Sequence, residues 1–381
     1  MHKYRMATPG PTSSPSNIRL AGARDLIHHR ASHMKELMER INPKLKKIFQ
    51  TKNDVYTISC SGTGGMEASV TNPFEKNDKV LVLSNGYFGE RFRTICEHNA
   101  LNTLVYEKEW GTEFSLAEIV EIYKENPDLK GVFVVFSETS TGMINPVKEI
   151  AALFKKTDVL VVVDAISGLI VNELLMDEWG LDIVIAASHK GFMMAPGLTF
   201  VGISDKAWSK INQTNSSAYY FSFTRLKQFF PFASASASVS LLLSLEESLS
   251  MIEDIGSVSL LVQQKQIALA AQRALNALGF ILFVDKPIYR SNAVTSALAP
   301  EGIDTQKLLS QLETEFNLSI TGGQGVFKGK MIRVGHIGYI DELDLYAVFG
   351  AIERALIQLG AEFPLGVSSK AIQEVFVQGG K

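Results

Sequence analysis

Cysteine is scarce in this chain, because the 381 residues include only Cys60 and Cys96. A chain of this length can bury a large apolar core and does not need a disulfide for stability, so we expect both thiols to be reduced. Two cysteines are also too few for an iron–sulfur cluster, which is held mainly by thiolates. We therefore expect no metal centre.

An excess of positive charge is missing as well. The chain has 37 basic and 40 acidic residues, a formal net charge of −3. This balance argues against binding to nucleic acid or to a membrane surface. The sequence also shows no basic leader followed by an apolar core, and no apolar run long enough to cross a bilayer. We therefore expect a cytoplasmic protein.

Short, nearly continuous apolar segments recur through the first half of the chain and predict β-strands. Such strands, alternating with amphipathic stretches, are typical of a mostly parallel sheet covered by helices on both faces. The predicted fold class is therefore α/β, with a large domain built on a seven-stranded sheet. The predicted strands are residues 56–59, 80–83, 104–106, 132–136, 159–163, 183–185 and 198–203.

Helical spacing and turn residues predict how the chain is divided. Apolar residues recur every three or four positions over 34–48, although Pro43 predicts that this helix ends or bends there. A second helical segment covers about 240–278, with a break at Asp254-Ile255-Gly256. After it, strand and helix patterns indicate a smaller α+β domain. We therefore expect an extended arm at 1–16, a large domain at 17–255 and a small domain at 256–381.

Two ionisable residues lie where predicted buried strands end. Asp164 closes one strand, and Lys190 follows the next strand 26 residues later. That interval has room for one crossover helix, so both side chains would reach the carboxyl edge of the sheet, where α/β proteins bind ligands. A lone lysine is usually a solvated surface charge. A lysine beside a carboxylate, however, is what pyridoxal phosphate (PLP) requires: an amine for a Schiff base and a partner for the protonated ring nitrogen.

Three other motifs follow predicted strands, and each has two interpretations. Ser61-Gly62-Thr63 opens a helix, and this turn either binds an anion through backbone N–H groups or simply reverses the chain. Phe88 lies either against a cofactor ring or in the core. Ser140 either faces a ligand or caps the following helix.

Arg333 lies inside an apolar strand pattern, where an unpaired guanidinium is costly to bury. A carboxylate is therefore expected to meet it. The sequence leaves two partners open: an internal Asp or Glu, or the carboxylate of a substrate held by two parallel hydrogen bonds.

In their order along the chain, these motifs resemble the class V PLP-dependent aminotransferases of fold type I, in particular the alanine–glyoxylate and serine–pyruvate aminotransferase group. The resemblance covers nearly the whole chain. It rests on Thr8-Pro9-Gly10-Pro11-Thr12, His29-Arg30, Asn85-Gly86, Ser140-Thr141-Gly142, Asp164-Ala165, Ser188-His189-Lys190 and Arg333-Val334-Gly335.

The resemblance implies a role for each candidate residue. Lys190 would form the Schiff base with PLP, Asp164 would pair with the ring nitrogen, and Arg333 would bind the substrate α-carboxylate. The other implied contacts are Phe88 on the ring, Ser140 at its polar edge, Ser61, Gly62, Thr63 and His189 around the phosphate, and Thr8 and Gly10 beside the substrate. The family also forms homodimers with shared active sites, and a neighbour's loop, here near Ser234 and Ser236, would help to hold the phosphate.

The sequence departs from the group's pattern in two places. His189 stands where the group commonly has Gln, and Ser-His-Lys resembles the cysteine desulfurase branch of class V. A desulfurase needs a cysteine on a loop after its lysine, whereas both cysteines here precede Lys190, so we do not expect that activity. In the predicted phosphate loop at 232–236, the usual Thr and Pro are absent.

The expected function is that of a transaminase with a ping-pong mechanism through the Lys190 Schiff base. It would move an amino group from a small L-amino acid, alanine or serine, to a small 2-oxo acid, glyoxylate or pyruvate. One alternative is a lyase or an aminotransferase for a phosphorylated or phosphonate amino acid, for which Arg24, His28, His29 and Arg30 offer positive charge. Another is a protein-partner role, because some members of the group are described as soluble hydrogenase subunits.

Overall fold

A computed structural model describes residues 3–379 of the chain. Its strands, in chain order, are β1 (Arg5–Met6), β2 (Val55–Ile58), β3 (Lys79–Ser84), β4 (Asn102–Glu107), β5 (Gly131–Val135), β6 (Ser137–Glu138), β7 (Met143–Ile144), β8 (Leu160–Asp164), β9 (Ile183–Ala187), β10 (Thr199–Ile203), β11 (Ile281–Leu282), β12 (Val294–Leu298), β13 (Leu318–Ser319), β14 (Thr321–Gly322) and β15 (Met331–Gly335).

The helices, in the same order, are α1 (Ser16–Ala21), α2 (Ser32–Phe49), α3 (Gly62–Thr71), α4 (Tyr87–His98), α5 (Leu116–Glu125), α6 (Val147–Phe154), α7 (Met176–Trp179), α8 (Asp205–Ile211), α9 (Phe223–Phe229), α10 (Val239–Ile255), α11 (Ser257–Ala277), α12 (Thr305–Phe316), α13 (Glu342–Gln358) and α14 (Val367–Gly379). Short 3-10 helices occur at Pro287–Tyr289 and Gly325–Phe327. None of the helices in the described part of the chain is long and apolar enough to cross a membrane.

The central sheet of residues 3–379 contains seven strands in the order β2-β10-β9-β8-β5-β3-β4. The run β9-β8-β5-β3-β4 is parallel, whereas β10 is antiparallel to both of its neighbours. All seven predicted strands coincide with these strands to within two residues. The predicted α/β class with a mostly parallel sheet is confirmed.

Apolar layers cover both faces of this sheet, which explains the continuous apolar strands. Successive side chains of a strand point to opposite faces. In β5, Val132 and Val134 join the core on one face, while Phe133 and Val135 join the core on the other. In the five inner strands β10, β9, β8, β5 and β3, polar residues occur only at the strand ends, and the candidate site lies at one of these ends of the sheet.

Of the two outcomes predicted at Pro43, an end or a bend of the helix, the end is wrong, since α2 continues through this residue from Ser32 to Phe49. Proline inside a helix costs about 3 kcal/mol relative to alanine. Here Pro43 lies on the exposed side, while the opposite face buries a row of apolar side chains whose combined burial outweighs that cost. This row comprises Met34, Leu37, Met38, Ile41, Leu45 and Phe49.

A second, antiparallel sheet lies in the C-terminal part, with the order β11-β12-β15-β14. Its core is separate from those of the large sheet and contains residues from 267–375 together with Ala7. The predicted break of the long helix is confirmed at Gly256, which has a φ of +83°. The boundaries 17–255 and 256–381 stay a prediction, which the separation of these cores supports. Strands β12 and β14 and helix α14 of this part were not predicted.

Candidate active site

Lys190 lies in the turn that follows β9, with only 7% of its surface exposed. Its Nζ donates a hydrogen bond of 2.6 Å to the backbone carbonyl of Pro9 in the N-terminal arm. Burial lowers the pKa of this amine to about 8, and the charge of Arg333 acts in the same direction, whereas Asp164 opposes the shift. A neutral amine is therefore accessible near physiological pH, as proton transfer requires.

Asp164 is the last residue of β8 and is 4% exposed. Since β8 and β9 are parallel neighbours, Asp164 and the turn of Lys190 share the carboxyl edge of the sheet. The Asp164 Oδ1 accepts a hydrogen bond from the backbone N–H of Ile166 at 2.9 Å. Burial raises the pKa of Asp164 to about 6, and Lys190 partly offsets this. The carboxylate is thus ionised at neutral pH and can pair with a cation.

The turn at Ser61 opens α3, as the sequence predicted. Ser61 is the N-cap residue and Gly62 begins the helix, so unpaired backbone N–H groups and the positive end of the helix dipole face this edge. A Cβ atom at Gly62 would lie 2.5 Å from Ile166 Cδ1, so a larger residue there would require the Ile166 side chain to move. The Thr63 Oγ1 accepts a hydrogen bond of 3.1 Å from Arg91 Nη1. Sequence reasoning missed both Ile166 and Arg91.

Glu138 is a fully buried acid that sequence reasoning also missed. Its carboxylate accepts hydrogen bonds from the backbone N–H groups of Phe88 (3.0 Å), Gly89 (3.1 Å) and Ser140 (3.1 Å). The Ser140 hydroxyl donates to Glu138 at 2.5 Å and accepts from the N–H of Tyr87 at 2.9 Å. Burial raises the pKa of Glu138. These bonds fix the start of α4 and the turn that carries Ser140, so Glu138 positions Phe88.

Arg333 lies in the middle of β15 and is 7% exposed. Its Nε donates to the Gly322 carbonyl at 2.8 Å, and its Nη1 donates to the Thr139 carbonyl at 3.0 Å and to Gln324 Oε1 at 3.2 Å. Within residues 3–379, no internal carboxylate forms an ion pair with it. Burial lowers the pKa of Arg333 to about 10, and the charge of Glu138 acts against this shift. Of the two partners that the sequence left open, an external carboxylate is the one that this geometry favours.

The N-terminal arm closes over the lysine. Besides the bond from Lys190 to Pro9, the Thr12 N–H donates to the His189 carbonyl and the Thr12 hydroxyl donates to the Lys190 carbonyl, both at 3.2 Å. Gly10 has a φ of +145°, and a Cβ atom there would lie 2.3 Å from Lys190 Nζ. The arm must therefore carry glycine at this position.

The same arm also reaches the small sheet. Strand β1 pairs in parallel with β13, and the carbonyl of Ala7 accepts a hydrogen bond of 2.8 Å from the N–H of Gly335, two residues after Arg333. Thr8 follows directly, with its hydroxyl donating to the Pro11 carbonyl at 2.6 Å. The structure thus brings Thr8 and Gly10 between Lys190 and the strand of Arg333.

His189 is half-buried, and its Nδ1 is a buried atom without a hydrogen-bond partner in the described residues. Burial lowers its pKa to about 4, so the ring is neutral at pH 7. Ser234 and Ser236 lie in the loop before α10. Their predicted contact with a neighbour's phosphate stays a prediction, as does the homodimer.

The sheet, with a buried lysine and a buried aspartate at neighbouring strand ends, defines a PLP-dependent transferase of fold type I. Residues 18–341 match the family model described as aminotransferase class-V, and the chain belongs to this family. It is therefore a PLP-dependent aminotransferase.

Individual relatives match over nearly the full chain. The sequence is 30% identical to the serine–glyoxylate aminotransferase of Hyphomicrobium methylovorum, covering 97% of this chain and 93% of that one. It is 32% identical to a soluble hydrogenase 42 kDa subunit of Anabaena cylindrica, covering 98% and 99%. The crystal structure of ureidoglycine–glyoxylate aminotransferase from Bacillus subtilis matches with a TM-score of 0.95 at 25% identity, covering 99% of both chains.

The residues at the sheet edge fit PLP, the cofactor of this family. A buried amine and a buried carboxylate lie at neighbouring strand ends, and a helix N-terminus offers N–H groups for a phosphate. His189 Nδ1 is a buried polar atom that lacks a hydrogen-bond partner in the described residues. Phe88 and Ile166 supply apolar surface at the same edge. Bound there, PLP would supply an electron sink that accepts charge from the α-carbon of an amino acid.

Proposed function

We propose that this aminotransferase moves an amino group from a small L-amino acid, alanine or serine, to a small 2-oxo acid, glyoxylate or pyruvate, in a ping-pong reaction. The observation that carries the proposal is the arrangement of Lys190, Asp164 and Arg333 around one edge of the sheet, with the arm residue Pro9 directly on the lysine amine. A serine–glyoxylate aminotransferase among the relatives supports the substrate class.

In this proposal, each of three ionisable side chains has a separate task. Lys190 takes the α-proton from the bound amino acid, because its buried amine has a pKa of about 8 and can be neutral. Asp164 holds a proton on the ring nitrogen through a charge-assisted hydrogen bond. Arg333 binds the α-carboxylate and so aligns the α-carbon with the lysine.

The other predicted contacts, together with Glu138, would complete the site. Glu138 fixes Phe88 so that its ring can lie against the cofactor, and the bond from Ser140 to Glu138 holds the turn at the polar edge of the ring. The arm leaves little room beside the lysine, which is consistent with a small substrate. The proposed phosphate contacts are Ser61, Gly62, Thr63 and His189, and the proposed substrate contacts from the arm are Thr8 and Gly10.

Visible absorption of the purified protein tests the proposal. L-alanine, L-serine, L-glutamate and 2-aminoethylphosphonate are added separately, and a 2-oxo acid is then added to each sample. Bleaching of the cofactor band by alanine or serine, with recovery on adding glyoxylate or pyruvate, is expected. A response to 2-aminoethylphosphonate alone would instead support the phosphonate alternative, and no response to any donor would contradict transamination.

Replacing Arg333 with glutamine tests the proposed carboxylate contact. Charged hydrogen bonds of this kind contribute about 1.5–3 kcal/mol, so we expect kcat/KM for the amino donor to fall about 10- to 100-fold, mainly through KM. The variant should also lose its preference for alanine over ethylamine, which lacks the carboxylate. The matched control is Arg354→Gln, because Arg354 is exposed on α13. Unchanged discrimination in Arg333→Gln would contradict this assignment.

Two other functions that the sequence left open are each supported by one observation. For an acidic phosphorylated substrate, Arg24 and His28 are exposed near the arm, although Arg24 already pairs with Glu247 at 3.7 Å. For a partner role, the support is the relative that is described as a hydrogenase subunit. Purification from the native source tests the partner role. A second protein that copurifies with this chain in a constant ratio through every step would favour that role.

A further inference from the structure

Arg91 joins the two sides of the proposed cofactor site. It lies on α4, one helical turn after Phe88, and its guanidinium carbon is 4.7 Å from the centroid of the Phe88 ring. On its other side, Nη1 donates to Thr63 Oγ1 at 3.1 Å, in the first turn of α3. The guanidinium therefore sits between the ring-stacking residue and the helix N-terminus that offers N–H groups to an anion.

The charge of Arg91 reaches one buried acid, Asp164, and helps to lower the pKa of that carboxyl group. No carboxylate of residues 3–379 forms an ion pair with it. The adjacent Glu90 lies 3.5 Å from Arg93 instead, and Glu138 is occupied by the backbone N–H groups of Phe88 and Gly89. A half-buried cation at the positive end of a helix is unfavourable unless an anion joins it.

The other groups at this site do not supply the missing positive charge for a phosphate. Ser61, Gly62 and Thr63 offer only neutral hydroxyl and N–H groups, and His189 is neutral because burial lowers its pKa to about 4. A phosphate group carries close to two negative charges at pH 7. Arginine matches phosphate geometry well, since its planar fork can donate two parallel hydrogen bonds.

We propose that Arg91 is the counter-ion of the cofactor phosphate, with Thr63 holding its guanidinium in place. This inference rests on the proposed arrangement of PLP in the site, and it adds a residue that the sequence motifs did not assign. The Phe88 ring packs against the Arg91 guanidinium. The residue proposed to stack on the cofactor ring would therefore also help to hold the counter-ion of the phosphate.

The affinities of the full-length, cofactor-free chain for pyridoxamine 5′-phosphate and for pyridoxamine distinguish the contribution of the phosphate from that of the ring, because the two ligands differ only in the phosphate. Neither ligand has an aldehyde, so reaction with Lys190 does not contribute. Calorimetry should show that Arg91→Gln weakens pyridoxamine 5′-phosphate binding at least about tenfold, the scale of one charged hydrogen bond, and changes pyridoxamine binding less than twofold. Arg91→Lys should lie between, and added salt should weaken the wild type more than Arg91→Gln.

The matched control is Arg93→Gln, on the same helix, where Arg93 already pairs with Glu90 and Glu97. It should leave both affinities unchanged. Equal losses for the two ligands in Arg91→Gln would overturn the phosphate assignment, because they would place the effect at the ring. Full retention of phosphate-dependent binding would overturn it as well. A wild-type chain without any preference for the phosphorylated ligand would overturn both this inference and the proposed phosphate site.

Discussion

The kcat of the Lys190→Ala variant is expected to be about 10²- to 10⁴-fold lower than that of the wild type, which is the usual contribution of a positioned acid–base group. Removing the amine eliminates both the covalent attachment of PLP and the group that moves the α-proton. Contacts at the phosphate and the ring remain, so the variant should still bind pyridoxamine 5′-phosphate. Single-turnover absorbance changes after mixing with the amino donor measure the rate directly.

Small primary amines should partly restore the Lys190→Ala rate, because they can enter the space left by the side chain and move the same proton. The control is Lys206→Ala, since Lys206 pairs with Asp182 at 2.9 Å near the opposite edge of the sheet. Its turnover should equal that of the wild type. A Lys190→Ala protein that reacts at the wild-type rate without added amine would contradict the role of this lysine.

The pH dependence of the wild-type single-turnover rate follows from the lowered pKa of Lys190. Below a pH of about 8, the amine is mainly protonated and cannot accept the α-proton. We therefore expect the rate to rise with pH and to level off above about 8, with this rise absent in Lys190→Ala. The unfolded lysine keeps a pKa near 10.4, so the folded chain binds fewer protons between these values and gains stability as the pH rises there.

Asp164→Asn is expected to lower kcat by about 10²–10³-fold, the effect of removing one preorganised electrostatic group. Asparagine keeps the Oδ1 that accepts from Ile166 N–H at 2.9 Å, so the strand end should stay intact. The amide, however, carries no charge to hold a proton on the ring nitrogen. The measurements are kcat at saturating cofactor and the absorption maximum of the bound cofactor, which reports the protonation of the ring.

Asp182→Asn is the matched control for this buried acid. Asp182 accepts a hydrogen bond from the backbone N–H of Val161 at 2.8 Å and pairs with Lys206. We therefore expect lower thermal stability but nearly unchanged kcat in Asp182→Asn. A wild-type kcat in Asp164→Asn would remove Asp164 from the proposed mechanism.

Most of the large sheet was predictable because both of its faces are buried. Burial on two sides requires continuous apolar strands, and these stand out in the sequence. Strand β12 (Val294–Leu298) was missed because Thr295 and Ser296 interrupt its apolar pattern. The uninterrupted course of α2 through Pro43 depends on tertiary packing, which a local propensity does not contain.

Site residues were predictable from the sequence only where an ionisable side chain lies directly at the end of a buried strand. Lys190 and Asp164 follow buried strands directly, and their residue types indicate the cofactor. Glu138 had the same signal, since it follows the strand 131–135, but its role depends on backbone N–H groups from α4. Pro9 contributes a backbone carbonyl to a lysine 181 positions away, and a carbonyl leaves no signature in a sequence.

The N-terminal arm has a consequence for the order in which the chain assembles. Strand β1 pairs with β13, and the Ala7 carbonyl accepts its hydrogen bond from Gly335, far from the arm in sequence. Contacts this distant in sequence form late, after the intervening segments have folded. A folding chain in which β13 and β15 have not yet formed would therefore have a central sheet with an uncovered lysine, because the arm has no strand to pair with.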